Sequence, residues 1–222
     1  GLNNEGGIPN DCRTDGDLEA DKPIIIAFEA NALINWLVCG QGGDDGKLRV
    51  LKSFFVKYDR KLEELCDDFM EYYYYHRTHR VIFYYDSTFL GQEYASSRGQ
   101  SFASIIKSMF RRHQWAVREK YIGNPWDHIK KNELINRMFQ GRAQHQVLIN
   151  RDNNPDLLIS IQSAGVRNGK KDKSGEKLAE TEEDRLVART DGSDAFDTLC
   201  IGVERYPVAW GRGGQTNEYP NS

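Results

Sequence analysis

The stretch PIIIAFE, residues 23–29, and its counterpart RVIFYYD, residues 80–86, decide how this chain is read. Each is a dense apolar run with β-branched and aromatic residues, as expected of a strand buried on both faces. Each also ends in a carboxylate, Glu29 in the first and Asp86 in the second. An acid at the end of a buried strand is costly unless something offsets it, so the repetition points to a site at one end of a sheet.

Outward from these two strands, LRVLKSFFVKY (48–58) reads as a strand. The turn signal GGDDG (42–46) precedes it, and we expect it to pair with the first strand as a hairpin. Residues 60–76 place Leu62, Leu65, Phe69 and Tyr72 or Tyr73 at helical spacing, which predicts an amphipathic helix. Of the run Tyr72 to Tyr75, most are expected to pack rather than stack on bases. A helix over 102–113 followed by a strand over 115–122 implies a parallel crossover from the RVIFYYD strand. Further helices are expected over 127–139 and 155–164, the latter with Leu157, Leu158 and Ile161 inward, and HQVLIN (145–150) is extended. The last element is SDAFDTLCIGVERY (193–206), a helix with Ser193 as its N-cap. Residues 22–207 are thus read as one α/β domain, 1–21 as a linker-like segment and 208–222 as a flexible tail.

Composition narrows the class. The chain has 222 residues, 39% of them hydrophobic and 28% charged, enough for a core and ordinary for a globular surface. A net charge of −3 does not fit a generic basic nucleic-acid binder. Clustered carboxylates that hold divalent cations are acidic by sequence yet present positive charge when loaded. The four cysteines are scattered with no CxxC pair, which argues against zinc or a disulfide framework and for a reducing, intracellular setting. No apolar run is long enough to span a membrane, and the N-terminus is unlike a signal peptide. Gly1 in place of Met suggests a processed or trimmed chain.

The acids that carry chemistry are Glu29, Asp86 and the pair Asp194 and Asp197, which sit three apart and hence on one helical face, with Asp191 a weaker candidate. Each has a plainer alternative: Glu29 in an ion pair, Asp86 as a turn or capping residue, the Asp cluster as a dipole-favoured helix start. Together they supply the hard oxygen ligands that magnesium or manganese prefers, and two such ions can cleave a phosphodiester. The basic stretch RNGKKDKSGEK, with Arg167, Lys170, Lys171, Lys173 and Lys177, is expected to be a mobile hairpin or loop, which either contacts DNA phosphates beside the metal site or is a plain solvated surface loop.

The segments IIIAFEANALINWLVCGQ, VIFYYDSTFLGQEYA, DKSGEKLAETEEDR and TDGSDAFDTLCIGVERYP resemble the C-terminal nuclease domain of large terminase subunits from tailed phages, particularly Bacteroides-type phages and prophages. The resemblance covers about residues 22–207. It implies a ribonuclease H-like fold, a mixed sheet with helices on both faces. It also implies two-metal cleavage of concatemeric double-stranded viral DNA during packaging, in the cytoplasm of the bacterial host. Under it, Glu29 and Asp86 are the strand acids and Asp194 and Asp197 the helix acids. Implied partners are an upstream packaging ATPase domain, a portal and a small terminase subunit. Two departures stand out. The first-strand acid is Glu where such domains carry Asp, and no GxxxxGK[ST] phosphate loop is present. Three other readings stay open: a PIN-like nuclease, which the stretch Glu29 to Leu33 fits loosely; a junction resolvase; and a DNA-binding or assembly module with weak catalysis.

Overall fold

A computed structural model describes residues 18–43, 45–91, 99–164, 166–167, 170–171 and 190–206. Six strands form one mixed sheet: β1 (Ile24–Ala30), β2 (Ile34–Gly42), β3 (Lys47–Lys57), β4 (Arg80–Tyr85), β5 (Ala116–Tyr121) and β6 (Gln146–Ile149), in the order β5-β4-β1-β2-β3-β6. The first three are an antiparallel meander. β4 lies parallel to β1, β5 to β4 and β6 to β3. Among the described residues, five helices cover it: α1 (Leu62–Tyr72), α2 (Phe102–Arg112), α3 (His128–Phe139), α4 (Pro155–Ser163) and α5 (Asp191–Arg205).

Strand alternation sorts the core into two layers. Ile24, Ile26 and Phe28 of β1 and Val81 and Phe83 of β4 face α1 and α2, meeting Leu65, Phe69, Ile106 and Phe110. Ile25 and Ala27, with Ile82 and Tyr84, face the opposite way toward Leu134 and Met138 of α3, Leu157 of α4 and Ala195, Phe196 and Leu199 of α5. The result is the ribonuclease H-like α/β plan, a mixed sheet with helices on both faces.

The sheet departs from expectation in one pairing. β3 does not pair with β1; β2 lies between them, so the GGDDG turn joins β2 to β3. All nine residues of β2 are buried, which removes the alternation that would mark it as a strand of its own. Asn31 makes the reversal before it. Its side-chain Oδ1 accepts hydrogen bonds from the Leu33 and Ile34 amides at 2.9 and 3.0 Å, an Asx turn.

Helix ends also differ. α5 begins at Asp191 with Thr190 in the capping position, so Ser193 is not the N-cap. Ser193 is buried in the first turn, and its amide donates to Ser160 Oγ of α4 at 3.0 Å, an interhelical bond that a sequence pattern does not show. In α4, Leu157 and Ser160 are buried while Leu158 and Ile161 are only partly so. The tyrosine run also departs from the packing expected of it. α1 stops at Tyr72, and only Tyr73 is buried; Tyr72, Tyr74 and Tyr75 are exposed.

Most of the N-terminal segment and the whole C-terminal tail from residue 208 fall outside the described residues. Where 18–21 are described, Glu19 is tied to β2: its amide donates to Gln41 Oε1, and Gln41 Nε2 donates back to its carbonyl.

Candidate active site

The ladder between β1 and β4 pairs Ile25 with Ile82 and Ala27 with Tyr84. Two residues beyond the last pair stand Glu29, still within β1, and Asp86, one residue past β4 with its backbone still extended. The even step keeps each on the face of Ala27 and Tyr84, the face that α5 covers. Phe28, Ala30 and Tyr85, the odd steps, pack on the opposite layer. Two carboxylates therefore leave the C-terminal ends of adjacent parallel strands on the same side.

α5 is laid across that side by two glycines. A Cβ on Gly192 would lie 2.8 Å from Cε2 of Trp36, and one on Gly202 would lie 2.2 Å from Cγ of Tyr84. Absence of a side chain at both points lets the helix rest on the rings of β2 and β4, with its middle over β1. Its N-terminus is fastened to the β1–β2 turn, where Asn31 Nδ2 donates to Asp191 Oδ1 at 2.5 Å. Because Asn31 Oδ1 is committed to two backbone amides, its NH2 group is the part that must face the helix. Asp191, Asp194 and Asp197 recur every three residues along α5, and two of them are buried, Asp191 at 6% and Asp197 at 4% exposure. Asp194 is partly buried and accepts from Thr190 Oγ1 at 3.5 Å. One turn on, burial first and then the charge of Asp197 push the Cys200 thiol well above its usual range.

Asp86 serves the local backbone as well. Its Oδ1 accepts from the Thr88 amide at 2.9 Å and from Thr88 Oγ1 at 2.5 Å, capping a single 3-10 turn, Ser87–Leu90. The capping alternative is thus realised, but both bonds fall on one oxygen. Among the described residues, no group of three or more His, Cys, Asp or Glu stands close enough to hold a metal ion. The backbone thus brings Glu29, Asp86 and the α5 acids to one end and one face of the sheet, while their side chains do not close into a ligand cage. The donors on offer are carboxylate oxygens, the hard ligands that suit magnesium or manganese.

The basic stretch lies elsewhere in the chain's course. Residues 166–167 and 170–171 pair as a short antiparallel ribbon, Arg167 opposite Lys170 and Val166 opposite Lys171. Lys173 and Lys177 lie outside the described residues. No described helix is long and apolar enough to cross a membrane.

Asn31 entered the sequence reading only through the PIN-like alternative and was not among the site residues expected of the terminase-like one. Its signal was present, an Asn two residues after a strand-end acid, but turn asparagines are common and only the contact with Asp191 distinguishes this one.

No protein-family model matches the chain, and no curated protein does. Solved structures do resemble it at low identity. The manganese-bound nuclease domain of the large terminase g2p from bacteriophage SPP1 is 12% identical, covering 86% of this chain and 91% of that one, with a TM-score of 0.47. A mutant nuclease domain of the large terminase subunit gp2 of bacterial virus Sf6, with manganese and beta-thujaplicinol, is 9% identical over 86% and 95% at 0.47. T. thermophilus RuvC in complex with a Holliday junction substrate is 9% identical over 80% and 91% at 0.40.

Proposed function

We propose that this chain is a divalent-metal-dependent endonuclease domain acting on double-stranded DNA, of the kind carried by terminase large subunits. One observation carries the reading. Glu29 and Asp86 end adjacent parallel strands at matching register, on the face crossed by a helix that bears two buried aspartates. Carboxylates gathered at one sheet end concentrate negative charge and present hard oxygen donors, the setting that divalent cations favour. The terminase-like segments of the sequence agree with this reading.

In it, Glu29, Asp86, Asp194 and Asp197 hold magnesium or manganese, two ions being the expected number. Asp191 stands beside them through its bond from Asn31. When bound, such ions lower the pKa of an attacking water and neutralise charge on the departing oxygen. The protein's own part is orientation. Strand ends fix two carboxylates, and α5, seated on Trp36 and Tyr84, fixes the others. Glu29 is one methylene longer than Asp, so its carboxylate can reach further from β1. Arg167, Lys170, Lys171, Lys173 and Lys177 contact phosphates along the duplex. Such contacts position DNA without reading sequence, so the cut site is selected elsewhere. Cleavage of concatemeric phage DNA in the host cytoplasm, under an upstream packaging ATPase domain and with portal and small-subunit partners, completes the proposal.

The test is calorimetric titration with manganese, alongside plasmid nicking with manganese against EDTA. Parent protein is expected to bind manganese and nick. Asp86→Asn and Asp197→Asn are expected to lose nicking by 100-fold or more, about 3 kcal/mol of transition-state stabilisation, and to bind manganese at least tenfold more weakly. Variants that nick as fast as the parent would overturn the metal site. A parent that binds DNA but never nicks would favour an assembly module.

A further inference from the structure

The face that holds the carboxylates continues past β4 to the sheet edge, where β5 adds two cations to it. Arg118 pairs with Ile82 and Lys120 with Tyr84, so both point to the α5 side, the side of Glu29 and Asp86. Glu119 between them points the other way and is occupied there by Lys107 at 3.0 Å and the Tyr85 hydroxyl at 3.3 Å. A third cation arrives from the end of α5. Arg205 donates to the Ile122 carbonyl at 2.6 Å, and both it and Lys120 lie over the Tyr206 ring, at 5.7 and 5.4 Å from its centroid. Tyr206 is itself pinned, its carbonyl accepting from Tyr84 at 3.1 Å and its hydroxyl donating to the Tyr121 carbonyl at 2.9 Å.

These three cations have no carboxylate partner among the described residues. The acid next to Arg205 in sequence, Glu204, is engaged with His145 and the Gln144 amide. Burial, and then the charge of Arg118, holds the Lys120 ammonium below its ordinary pKa, as expected where positive charge is not neutralised. Charged residues on an edge strand also serve to block edge-to-edge pairing. That duty does not require them to share one face, nor to meet an arginine from a distant helix over one pinned ring. Lys120 stands one strand across and two residues back from Asp86, which places their backbones about 8 Å apart given a spacing of ~4.8 Å and a rise of ~3.3 Å per residue.

We infer that Arg118 and Lys120 on one face of β5, with Arg205 meeting Lys120 over Tyr206, form a phosphate track that lays the backbone of duplex DNA across the β5 edge toward Asp86. This rests on the nuclease reading above and adds to it the path of the substrate, on β5 and α5 rather than on the basic stretch 167–177. A polyanion is the fitting partner because the cations form a row leading to the acids rather than a closed pocket for a small anion.

The experiment is fluorescence anisotropy of a labelled duplex in EDTA, across a salt series, so that binding is read without cleavage. For Arg118→Gln/Lys120→Gln, the slope of log affinity against log salt is expected to become shallower by about 1.8, at ~0.9 for each phosphate no longer neutralised. A control pair, Arg111→Gln/Arg112→Gln, exposed at the end of α2 on the opposite face of the sheet, is expected to keep the parent slope. Circular dichroism confirms folding, and manganese titration of the β5 pair is expected to match the parent. An unchanged slope for the β5 pair overturns the track, as does an equal change in the control pair or a parent that binds no duplex at low salt. Manganese binding separates the two ideas. If Asp86→Asn binds manganese as the parent does while the β5 pair still shows the shallower slope, the metal reading fails and the track stands.

Discussion

Gly202→Ala is the substitution whose cost follows most directly from the packing of α5. The added Cβ would lie 2.2 Å from Cγ, 2.5 Å from Cδ1 and 2.7 Å from Cδ2 of Tyr84. Optimal carbon contacts are about 3.5–4.0 Å, so three ring atoms are overlapped by roughly 1 Å each. Tyr84 cannot swing away. It is wholly buried, and its hydroxyl is bonded to the Tyr206 carbonyl. The helix must therefore lift. Overpacking of this kind costs about 1–3 kcal/mol, and an overlap this large belongs at the upper end. Alanine returns up to about 1 kcal/mol in helix propensity, leaving a net loss of about 2 kcal/mol. In a domain of this size that lowers Tm by about 4–8 °C, readable by thermal and urea unfolding. Coupling gives a second reading: Tyr84→Leu should cost less when combined with Gly202→Ala than in the parent, because it removes the overlapped ring. Gly192→Ala, whose Cβ would meet Trp36 at 2.8 Å, should cost less than Gly202→Ala. A Gly202→Ala protein as stable as the parent, with no coupling to Tyr84, would refute the seating of α5 on β4.

Two other outcomes are expected. Burial, opposed by the hydrogen bond to the Lys22 carbonyl, lowers the pKa of His76 below 6.5, so the folded state prefers the neutral ring. Its contribution is complete above pH 6.5 and is lost as pH falls toward the depressed value, so the parent should lose more Tm between about pH 7 and 5 than His76→Gln does. The opposite order would contradict the assignment. Cys39, Cys66 and Cys200 are buried, and burial raises the thiols of Cys66 and Cys200 well above their usual range. These three should react with a disulfide reagent at about pH 8 only after guanidinium is added. Rapid labelling of Cys200 in the native protein would show that α5 is not seated.

The strand-end acids and most elements were legible because they are local. PIIIAFE and RVIFYYD announce buried strands by their own composition, and the 62–72 and 102–112 helices announce themselves by apolar spacing. The crossover from β4 through α2 to β5 followed from element order and came out parallel. A different kind of information was needed for β2. A strand buried on both faces carries no alternation, so the reversal at Asn31 and the pairing of β3 with β2 were invisible until the sheet existed.

The site divides in the same way. Which acids were candidates could be read from residue type and strand ends. That Glu29 and Asp86 share a register and a face depends on how β1 and β4 pair, which two separate segments do not specify. The contact from Asn31 to Asp191 joins residues 160 positions apart, and the meeting of Lys120 with Arg205 over Tyr206 is equally a product of the tertiary fold. Periodicity along a chain encodes which face of an element is buried. It does not encode which distant element will cover that face, because that choice is made by complementary shape, here two glycines admitting the rings of Trp36 and Tyr84.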